Sequence, residues 1–397
     1  MNRLHIAFFT NMYLPVVSGV VRSVSEYRRA LTAAGHNVFV FAQHDSEYED
    51  REPFIFRYPS LELPISVEIP AVIPVSPFID RLLPSLKLDV IHTHHPVLLG
   101  QTAANYARKL DLPLVFTFHT QYREYSHYVP IPQAVVQNFV KNLIDDWLID
   151  FLKLCNHVVV PSESMQEILV NEYGLDNGFT VIPTGISLEA YQQADGFRTR
   201  KAMGWQDDKV VISVGRLASE KNWPILLDAA ACALKDHPEI RLVLIGDGSE
   251  REELETYAQT LGIAKRVNFL GKLPFNEIPR YLKAADCFAF ASVTETQGLV
   301  TLEAIAAGLP VAAVTATGTA DIVRDGREGF LTENHGDALG AGIKALFESP
   351  ERLLAFKQAA LDRANAFDIG RQADKMLAVY AEAREAHRAG RYVRLSR

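Results

Sequence analysis

Short apolar runs alternate with stretches of helical periodicity along this chain, and the alternation occurs twice. Five runs rich in Val, Ile and Phe occupy residues 4–10, 37–43, 90–93, 114–118 and 157–160. Five more occupy residues 210–215, 241–246, 267–270, 287–291 and 310–314. Apolar runs of this length are typical of parallel strands buried on both faces, and helices between them imply right-handed crossovers. The pattern therefore predicts an α/β protein with two doubly wound, Rossmann-like parallel sheets.

The length of 397 residues exceeds what one hydrophobic core usually serves, which also indicates two domains. We expect the first at residues 1–190 and the second at 191–368, with a helical segment at 369–397. Residues 53–88 contain seven of the twenty prolines, so an irregular insertion is expected there. Within it, residues 78–88 have apolar residues at helical spacing, with Arg81 and Lys87 on the other side. This segment either packs on the sheet or rests on a membrane surface.

The charge balance narrows the possible partners. The chain has 48 acidic and 40 basic side chains and a net charge of −8, which disfavours binding to nucleic acid. No run of 18 apolar residues occurs, so no transmembrane segment is expected, and the first residues do not resemble a signal peptide. We expect a cytoplasmic protein. The arginine-rich residues 384–397 form either a solvated helix end or a contact with anionic lipid.

Loops that follow strands are where open α/β sheets bind ligands, and two of them suit a phosphate. In the loop after the first strand, Gly19 allows the backbone to approach a ligand and precedes a helix start. In the loop after residue 214, Arg216 and Lys221 offer a guanidinium fork and an ammonium to a diphosphate. Alternatively, this second loop is a solvated charged turn in which Glu220 pairs with one of the cations.

A third loop holds two carboxylates beside a helix start. Glu295 follows a strand, Glu303 lies in the next helix, and Gly298 stands between them. The backbone N–H groups of Leu299 and Val300 are then available to a ligand phosphate. The carboxylates can accept hydrogen bonds from hydroxyl groups, of a sugar on one side and of a ribose on the other. The sequence therefore predicts a nucleotide-sugar site here.

The fourth loop belongs to the first half of the chain. His119 closes a strand there and is a candidate for contacting the sugar or for a structural hydrogen bond. The aromatic and polar cluster behind it suits an acceptor, and its members are Tyr122, Tyr125, His127 and Tyr128. The HTHH run at residues 92–95 has no adjacent carboxylate or cysteine, and no Asp-x-Asp occurs. We therefore expect no metal site and no cofactor, so that cationic side chains and helix dipoles neutralise a leaving diphosphate.

These motifs together resemble those of retaining glycosyltransferases of family 4, which have the GT-B fold. The resemblance implies two domains facing each other across a cleft, with the final helix packing back on the first. It implies that Gly19, Arg216 and Lys221 bind the donor diphosphate and that Glu295 binds hydroxyls of the transferred sugar. It also implies that Glu303 binds the ribose and that His119 contacts the sugar near its 6-hydroxyl.

A finer resemblance is to bacterial 1,2-diacylglycerol 3-glucosyltransferases. It is carried by PVVSGVVRS, FTFHTQYREYSHYVP and TETQGL, where Thr296 and Gln297 stand in a position at which much of the family has Gly and Phe. It implies transfer of glucose, from UDP-glucose, to a lipid acceptor by an enzyme peripheral to the inner face of the cell membrane. Alternatives are a soluble sugar, sugar phosphate or polyisoprenoid-linked acceptor, a nucleotide-sugar epimerase, and a non-catalytic lipid- or nucleotide-binding module.

Overall fold

The computed structural model describes residues 3–61, 71–122 and 134–396, and the side chains of residues 61, 71 and 134–142 are not described. The chain forms two compact units. Unit 1 comprises Met1–Gly185 and Ile369–Arg397, and unit 2 comprises Ile186–Asp368. The chain therefore leaves unit 1 after residue 185, builds unit 2 and returns to unit 1 at residue 369.

Unit 1 is built on a seven-stranded sheet in which every pairing is parallel. Its strands are β1 (His5–Phe9), β2 (Asn37–Gln43), β3 (Ile55–Tyr58), β4 (Val90–Thr93), β5 (Leu114–Thr117), β6 (His157–Val160) and β7 (Phe179–Val181). Their spatial order is β7-β6-β5-β4-β1-β2-β3. The order grows outward from β1 in both directions, which is the arrangement of a doubly wound sheet.

Helices cover both faces of this sheet, because alternate residues of each strand point to opposite sides. Phe8 and Val40 pack with the helices Gly19–Ala33 and Ile369–Arg388 on one face. Phe9 and Phe116 pack on the other face with side chains from the remaining main helices of the unit. Those helices are Leu99–Leu110, Ala134–Leu152 and Glu163–Tyr173. Strands covered on both sides need apolar residues at every position, which explains their continuous apolar sequence.

Unit 2 repeats the architecture with a six-stranded parallel sheet. Its strands are β8 (Lys209–Val214), β9 (Ile240–Ile245), β10 (Val267–Phe269), β11 (Cys287–Phe290), β12 (Val311–Val314) and β13 (Gly329–Thr332), in the spatial order β10-β9-β8-β11-β12-β13. Its helices are Leu188–Gln192, Gly196–Ala202, Trp223–Asp236, Arg251–Thr260, Ile278–Ala284, Leu299–Ala306, Thr319–Ile322, Gly336–Phe347 and Pro350–Ala364. Hydrophobic clusters fill both faces of the sheet.

The ten predicted strands are confirmed as parallel strands of these two sheets. The expectation for residues 53–88 was wrong in part, because Ile55–Tyr58 pairs with β2 as an edge strand. The prolines flank this strand and do not interrupt it. The segment continues with a short antiparallel pair, Ser60–Leu61 with Ala71–Val72, and ends in the helix Pro77–Leu82 and the 3-10 turn Leu83–Leu86.

The final helix of the chain is an integral part of unit 1. Tyr380 of Ile369–Arg388 is fully buried, and its hydroxyl lies 2.8 Å from Nδ1 of His92 on β4. After this helix, Arg394–Leu395 pairs in antiparallel fashion with Leu175–Asn177. Across the described parts of the chain, no helix has both the length and the apolar character needed to cross a membrane.

Candidate functional site

The loop after β8 contains two cationic side chains, and each one forms an ion pair with a carboxylate. A guanidinium nitrogen of Arg216 lies 2.5 Å from Oε1 of Glu220, which is the alternative pairing that the sequence left open. Nζ of Lys221 lies 2.5 Å from Oε1 of Glu295. The structure thus brings Lys221 and Glu295, both predicted site residues, into direct contact.

Ser292 connects the two ion pairs. Its hydroxyl lies 3.0 Å from Oε1 of Glu295 and 3.3 Å from the carbonyl oxygen of Glu220. These contacts tie the loop after β8 to the loop after β11, and the two strands are neighbours in the sheet. Arg216, Lys221 and Glu295 therefore belong to one cluster at the carboxyl edge of this sheet.

The carboxyl group of Glu220 is held in its ionised form. Burial by itself raises the pKa of Glu220, but the hydrogen bond from Arg216 and the charges of Arg216 and Lys221 outweigh burial and lower the pKa. Glu220 is therefore a fixed negative charge that orients Arg216, while 52% of the Arg216 side chain stays exposed. An exposed guanidinium with a fixed orientation can donate hydrogen bonds to an anionic ligand from its exposed edge.

Asn222 shapes the turn behind Lys221, and sequence reasoning did not single it out. Its backbone lies in the left-handed region, with φ of 58°, which Asn tolerates better than most residues. Its side-chain amide donates to the carbonyl oxygen of Ala291 and to Oδ1 of Asn334. The helix Trp223–Asp236 begins at the next residue, and Nε1 of Trp223 donates to the carbonyl oxygen of Arg216. The sequence feature that could have indicated this role is an Asn directly before a helix that begins with Trp-Pro.

Gly298 forms the start of the helix Leu299–Ala306. Its φ of 73° is in the left-handed region, where a side chain would be strained. The N–H groups of Leu299 and Val300 have no acceptor within the helix, because they belong to its first turn. Glu303 is the fifth residue of this helix and is only 6% exposed. One predicted carboxylate therefore precedes the helix start and the other follows it, as the sequence suggested.

This edge of unit 2 has the chemistry of a phosphate and hydroxyl site. Two cations and a helix N-terminus attract negative charge, and carboxylates accept hydrogen bonds from hydroxyl groups. Close backbone packing also explains a glycine at this edge. A Cβ at Gly246 would lie 1.8 Å from the carbonyl oxygen of Gly215, so the loops after β8 and β9 touch through their backbones.

In unit 1, a row of three imidazoles crosses the carboxyl ends of β4 and β5. The rings of His92 and His94 are stacked with centroids 4.4 Å apart, and the rings of His94 and His119 with centroids 5.3 Å apart. Nδ1 of His94 lies 3.0 Å from Nε2 of His119. His92 is bonded on its two sides by the hydroxyls of Tyr380 and Thr117.

Burial keeps this row uncharged. It lowers the pKa of His92 to about 3 and that of neighbouring His95 to about 4. Burial, with repulsion from the neighbouring imidazoles, lowers the pKa values of His94 and His119 well below the ordinary range. A neutral imidazole has one donor and one acceptor nitrogen, so His119 can form directional hydrogen bonds without adding charge.

The remaining predicted residues of unit 1 have different environments. Gly19 is exposed as the first residue of the helix Gly19–Ala33, and Ser18 caps that helix by accepting from the N–H of Val21. The ring of Tyr122 packs edge-to-face on Phe118 at the margin of the core. The other three residues of the predicted acceptor cluster lie outside the described residues, namely Tyr125, His127 and Tyr128.

Histidine, cysteine and carboxylate side chains are the usual protein ligands of metal ions. Within residues 3–61, 71–122 and 134–396, no three such side chains lie together in an arrangement that would hold a metal ion. Cys155 and Cys287 are buried thiols, and Cys232 is partly exposed and also free.

Curated sequences include relatives that match most of the chain. An alpha-monoglucosyldiacylglycerol synthase of Streptococcus pneumoniae is 34% identical over 369 residues, covering 88% of this chain and 79% of the relative. One of Acholeplasma laidlawii is 31% identical over 360 residues, covering 88% and 90%. A D-inositol 3-phosphate glycosyltransferase of Acidothermus cellulolyticus is 30% identical over 319 residues, covering 78% and 70%.

Solved structures share the fold at lower identity. A sucrose-phosphate synthase from Thermosynechococcus elongatus has a TM-score of 0.79 at 21% identity, covering 97% of this chain and all of the other. Anabaena HepE in complex with UDP and glucose has a TM-score of 0.75 at 21% identity, covering 96% and 100%. Both support the predicted GT-B fold class.

Two family profiles divide the chain between them. Residues 17–190 match Glycosyltransferase Family 4, and residues 197–363 match Glycosyl transferases group 1. The first match falls mainly in unit 1 and the second lies entirely within unit 2. Together with relatives that are more than 30% identical over most of both chains, these matches identify the protein as a glycosyltransferase of family 4, a hexosyltransferase with two Rossmann-like units.

Proposed function

We propose that this enzyme transfers glucose from UDP-glucose to 1,2-diacylglycerol with retention of the anomeric configuration. The observation that carries this proposal is the similarity to two alpha-monoglucosyldiacylglycerol synthases over 88% of the chain. Glucose is attached to the diphosphate of UDP-glucose through an α bond. Formation of an α-glucoside from it is therefore transfer with retention.

The cluster in unit 2 supports the donor half of the proposal. Arg216, Lys221 and the N–H groups of Leu299 and Val300 bind the donor diphosphate, and the backbone at Gly19 approaches the same diphosphate. Glu295 and Gly298 bind the transferred sugar, while Glu303 binds the ribose. Lys221 orients Glu295 through their 2.5 Å contact, and its positively charged ammonium group also suits it to the diphosphate.

The reaction follows from this arrangement. The bond between the anomeric carbon and the leaving phosphate oxygen breaks, and the acceptor oxygen forms its bond to that carbon on the same face of the sugar. The acceptor proton moves to the leaving phosphate oxygen. Negative charge grows on the phosphate, where Arg216, Lys221 and the helix N–H groups stabilise it at about 3 kcal/mol for each preorganised donor. His119 positions the sugar, and the enzyme needs no metal ion or other cofactor.

The acceptor half of the proposal places the enzyme at the inner face of the cell membrane. The helix Pro77–Leu82 supports a membrane contact, because Ile79 is buried against the core while Phe78 is 67% exposed. Arg81 and Lys87 are exposed beside it and suit anionic lipid. The aromatic cluster formed by Tyr122, Tyr125, His127 and Tyr128 then contacts the acceptor.

A soluble acceptor is the second candidate function. The 30% identity to a D-inositol 3-phosphate glycosyltransferase favours it, since that relative's named acceptor is a water-soluble sugar-alcohol phosphate. The net charge of −8 also gives the whole chain no general attraction to anionic lipid.

A donor-by-acceptor screen tests the proposal. Radiolabelled UDP-glucose is incubated with diacylglycerol vesicles, with anionic vesicles that lack diacylglycerol, with soluble sugars and sugar phosphates, and with no acceptor. We expect label in α-glucosyldiacylglycerol only in the first arm. Label in a soluble product would replace the lipid acceptor, conversion of the donor without acceptor would indicate an epimerase, and donor binding without conversion would indicate a non-catalytic module.

A further inference from the structure

The contact between His94 and His119 raises the question of which nitrogen holds the proton. Nδ1 of His94 and Nε2 of His119 are 3.0 Å apart, so one donates and the other accepts. Both imidazoles are neutral, because burial lowers both pKa values well below neutrality. The proton between the two rings therefore belongs to one of two arrangements, and each arrangement fixes the protonation of both outer nitrogens.

The surroundings of Nε2 of His94 distinguish the two arrangements. This atom is buried and has no hydrogen-bond partner anywhere in the described part of the protein. If His119 donated to His94, the neutral His94 ring would carry its proton on Nε2, and an N–H group would be buried without an acceptor. Buried N–H groups without an acceptor are rare in folded proteins, more so than under-used acceptors. The geometry therefore favours donation from Nδ1 of His94 to Nε2 of His119.

We propose that His94 is a positioning residue that donates from Nδ1 to Nε2 of His119 and so fixes His119 as the tautomer protonated on Nδ1. Nδ1 of His119 is then a hydrogen-bond donor. The importance of this donor for catalysis rests on the proposed function, in which His119 contacts the transferred sugar. A hydroxyl oxygen of that sugar can accept the bond, whereas the other tautomer would offer a lone pair.

Packing prevents the His94 ring from turning away. His94 follows β4 directly, and one face of its ring stacks on His92. The ring of Phe8 contacts it in a T-shaped arrangement, with the ring centroids 4.9 Å apart. His92 is itself held by Thr117 and Tyr380 on its two ring nitrogens. Stacking on His92 and contact with Phe8 therefore keep Nδ1 of His94 beside His119.

Two substitutions of His94 separate hydrogen bonding from packing. The amide of Asn occupies the position of imidazole Nδ1, whereas the amide of Gln occupies the position of Nε2. His94→Asn therefore keeps a donor to His119 but leaves a larger void, and His94→Gln fills more of the space but loses the donor. We expect His94→Asn to retain kcat within about threefold and His94→Gln to lower kcat by about tenfold, with a smaller change in KM for the donor. A packing role predicts the reverse order, which would overturn the proposal.

A measurement on the unliganded protein tests the tautomer itself. Long-range proton–nitrogen correlation spectra of ¹⁵N-histidine-labelled full chain distinguish Nδ1–H from Nε2–H rings, and a His119→Asn variant assigns the His119 signals. We expect His119 as the Nδ1–H form in the wild type and in His94→Asn, and as the commoner Nε2–H form in His94→Gln. An Nε2–H ring for His119 in the wild type would overturn the proposal.

The matched control is Tyr380→Phe. It removes the hydroxyl that bonds Nδ1 of His92 and leaves the His94–His119 contact in place. The His119 signals and kcat should both remain as in the wild type. Because the spectra need no substrate, absence of glucosyl transfer in the wild type would refute the proposed function while the spectra still decide the tautomer.

Discussion

Lys221 and Glu295 are 74 positions apart in the sequence, yet their charged groups are in contact. The sequence predicted both as binding residues from the loops in which they stand. It did not predict that they pair, because the pairing depends on β8 and β11 being neighbours in the sheet. Glu220 was foreseen as a partner of one cation, whereas Ser292 and Asn222 bond across loops that only the sheet order brings together.

Lys221→Ala tests the residue that links the predicted diphosphate site to the predicted sugar site. The change removes one positive charge and leaves the Glu295 carboxylate without its 2.5 Å ion pair. We expect turnover with UDP-glucose to fall by about a hundredfold or more with the fold intact by circular dichroism.

Lys344→Ala is the control for Lys221→Ala, because Lys344 forms an ion pair with exposed Asp236 elsewhere in unit 2. It should keep normal turnover, since exposed ion pairs contribute little. Near-normal turnover for Lys221→Ala would remove this residue from the mechanism.

At the scale of elements, the continuous apolar strands were predictable, and three of the four edge strands of the two sheets were not. Central strands are apolar at every position because both faces are covered, and this signal occurs in all ten predicted runs. The three strands that were not predicted lie at sheet edges, where fewer neighbours constrain the sequence, and they are Ile55–Tyr58, Phe179–Val181 and Gly329–Thr332. The helix Pro77–Leu82 fits both readings left open by the sequence, since Ile79 is buried while Phe78 is exposed.

Phe78→Ser tests whether this short helix contacts lipid. Exposed Phe197 in unit 2 provides a matched control, with 81% of its surface accessible against 67% for Phe78. We expect Phe78→Ser to reduce binding to vesicles of anionic lipid about tenfold in sedimentation assays, because insertion of one Phe side chain contributes about 1.5–3 kcal/mol. Phe197→Ser should bind like the wild type. Equal binding by all three proteins would exclude this helix as the contact.

At the scale of the whole molecule, the two units share an architecture but differ in their buried ionisable groups. The buried histidines of the described chain all lie in unit 1 and include His36, His92, His94, His95 and His157. Burial in the folded protein disfavours the protonated imidazolium form of these histidines. In the unfolded chain the same side chains are readily protonated below about pH 6.5. Unit 1 is therefore the acid-sensitive half of the protein.

Urea unfolding at pH 7.5 and pH 5 tests this difference. The pKa of His92 is about 3 and that of His95 about 4 in the folded protein, against about 6.5 when unfolded. Between these pKa values the unfolded state binds more protons than the folded state. The contribution of these histidines to the free energy of unfolding is therefore fully present above about pH 6.5 and declines as the pH falls toward 4. At pH 5, His92 and His95 should each lower the free energy of unfolding by about 2 kcal/mol relative to pH 7.5.

Pulsed hydrogen exchange at one common labelling pH follows each unit separately in this experiment. Peptides of β1, β4 and β5 should lose protection at lower urea concentrations at pH 5 than at pH 7.5. Equal midpoints for these peptides at the two pH values would contradict the expectation.

The return of the chain to unit 1 at residue 369 has a consequence for biosynthesis. Residues 186–368 form a complete unit with neighbouring ends, since Ile186 donates to the carbonyl oxygen of Phe367 and bridges to Asp368. Every residue of that unit is synthesised before the helix that carries Tyr380. Unit 1 is therefore begun first and completed last. Nδ1 of His92 cannot form its hydrogen bond with the hydroxyl of Tyr380 until translation has passed position 380.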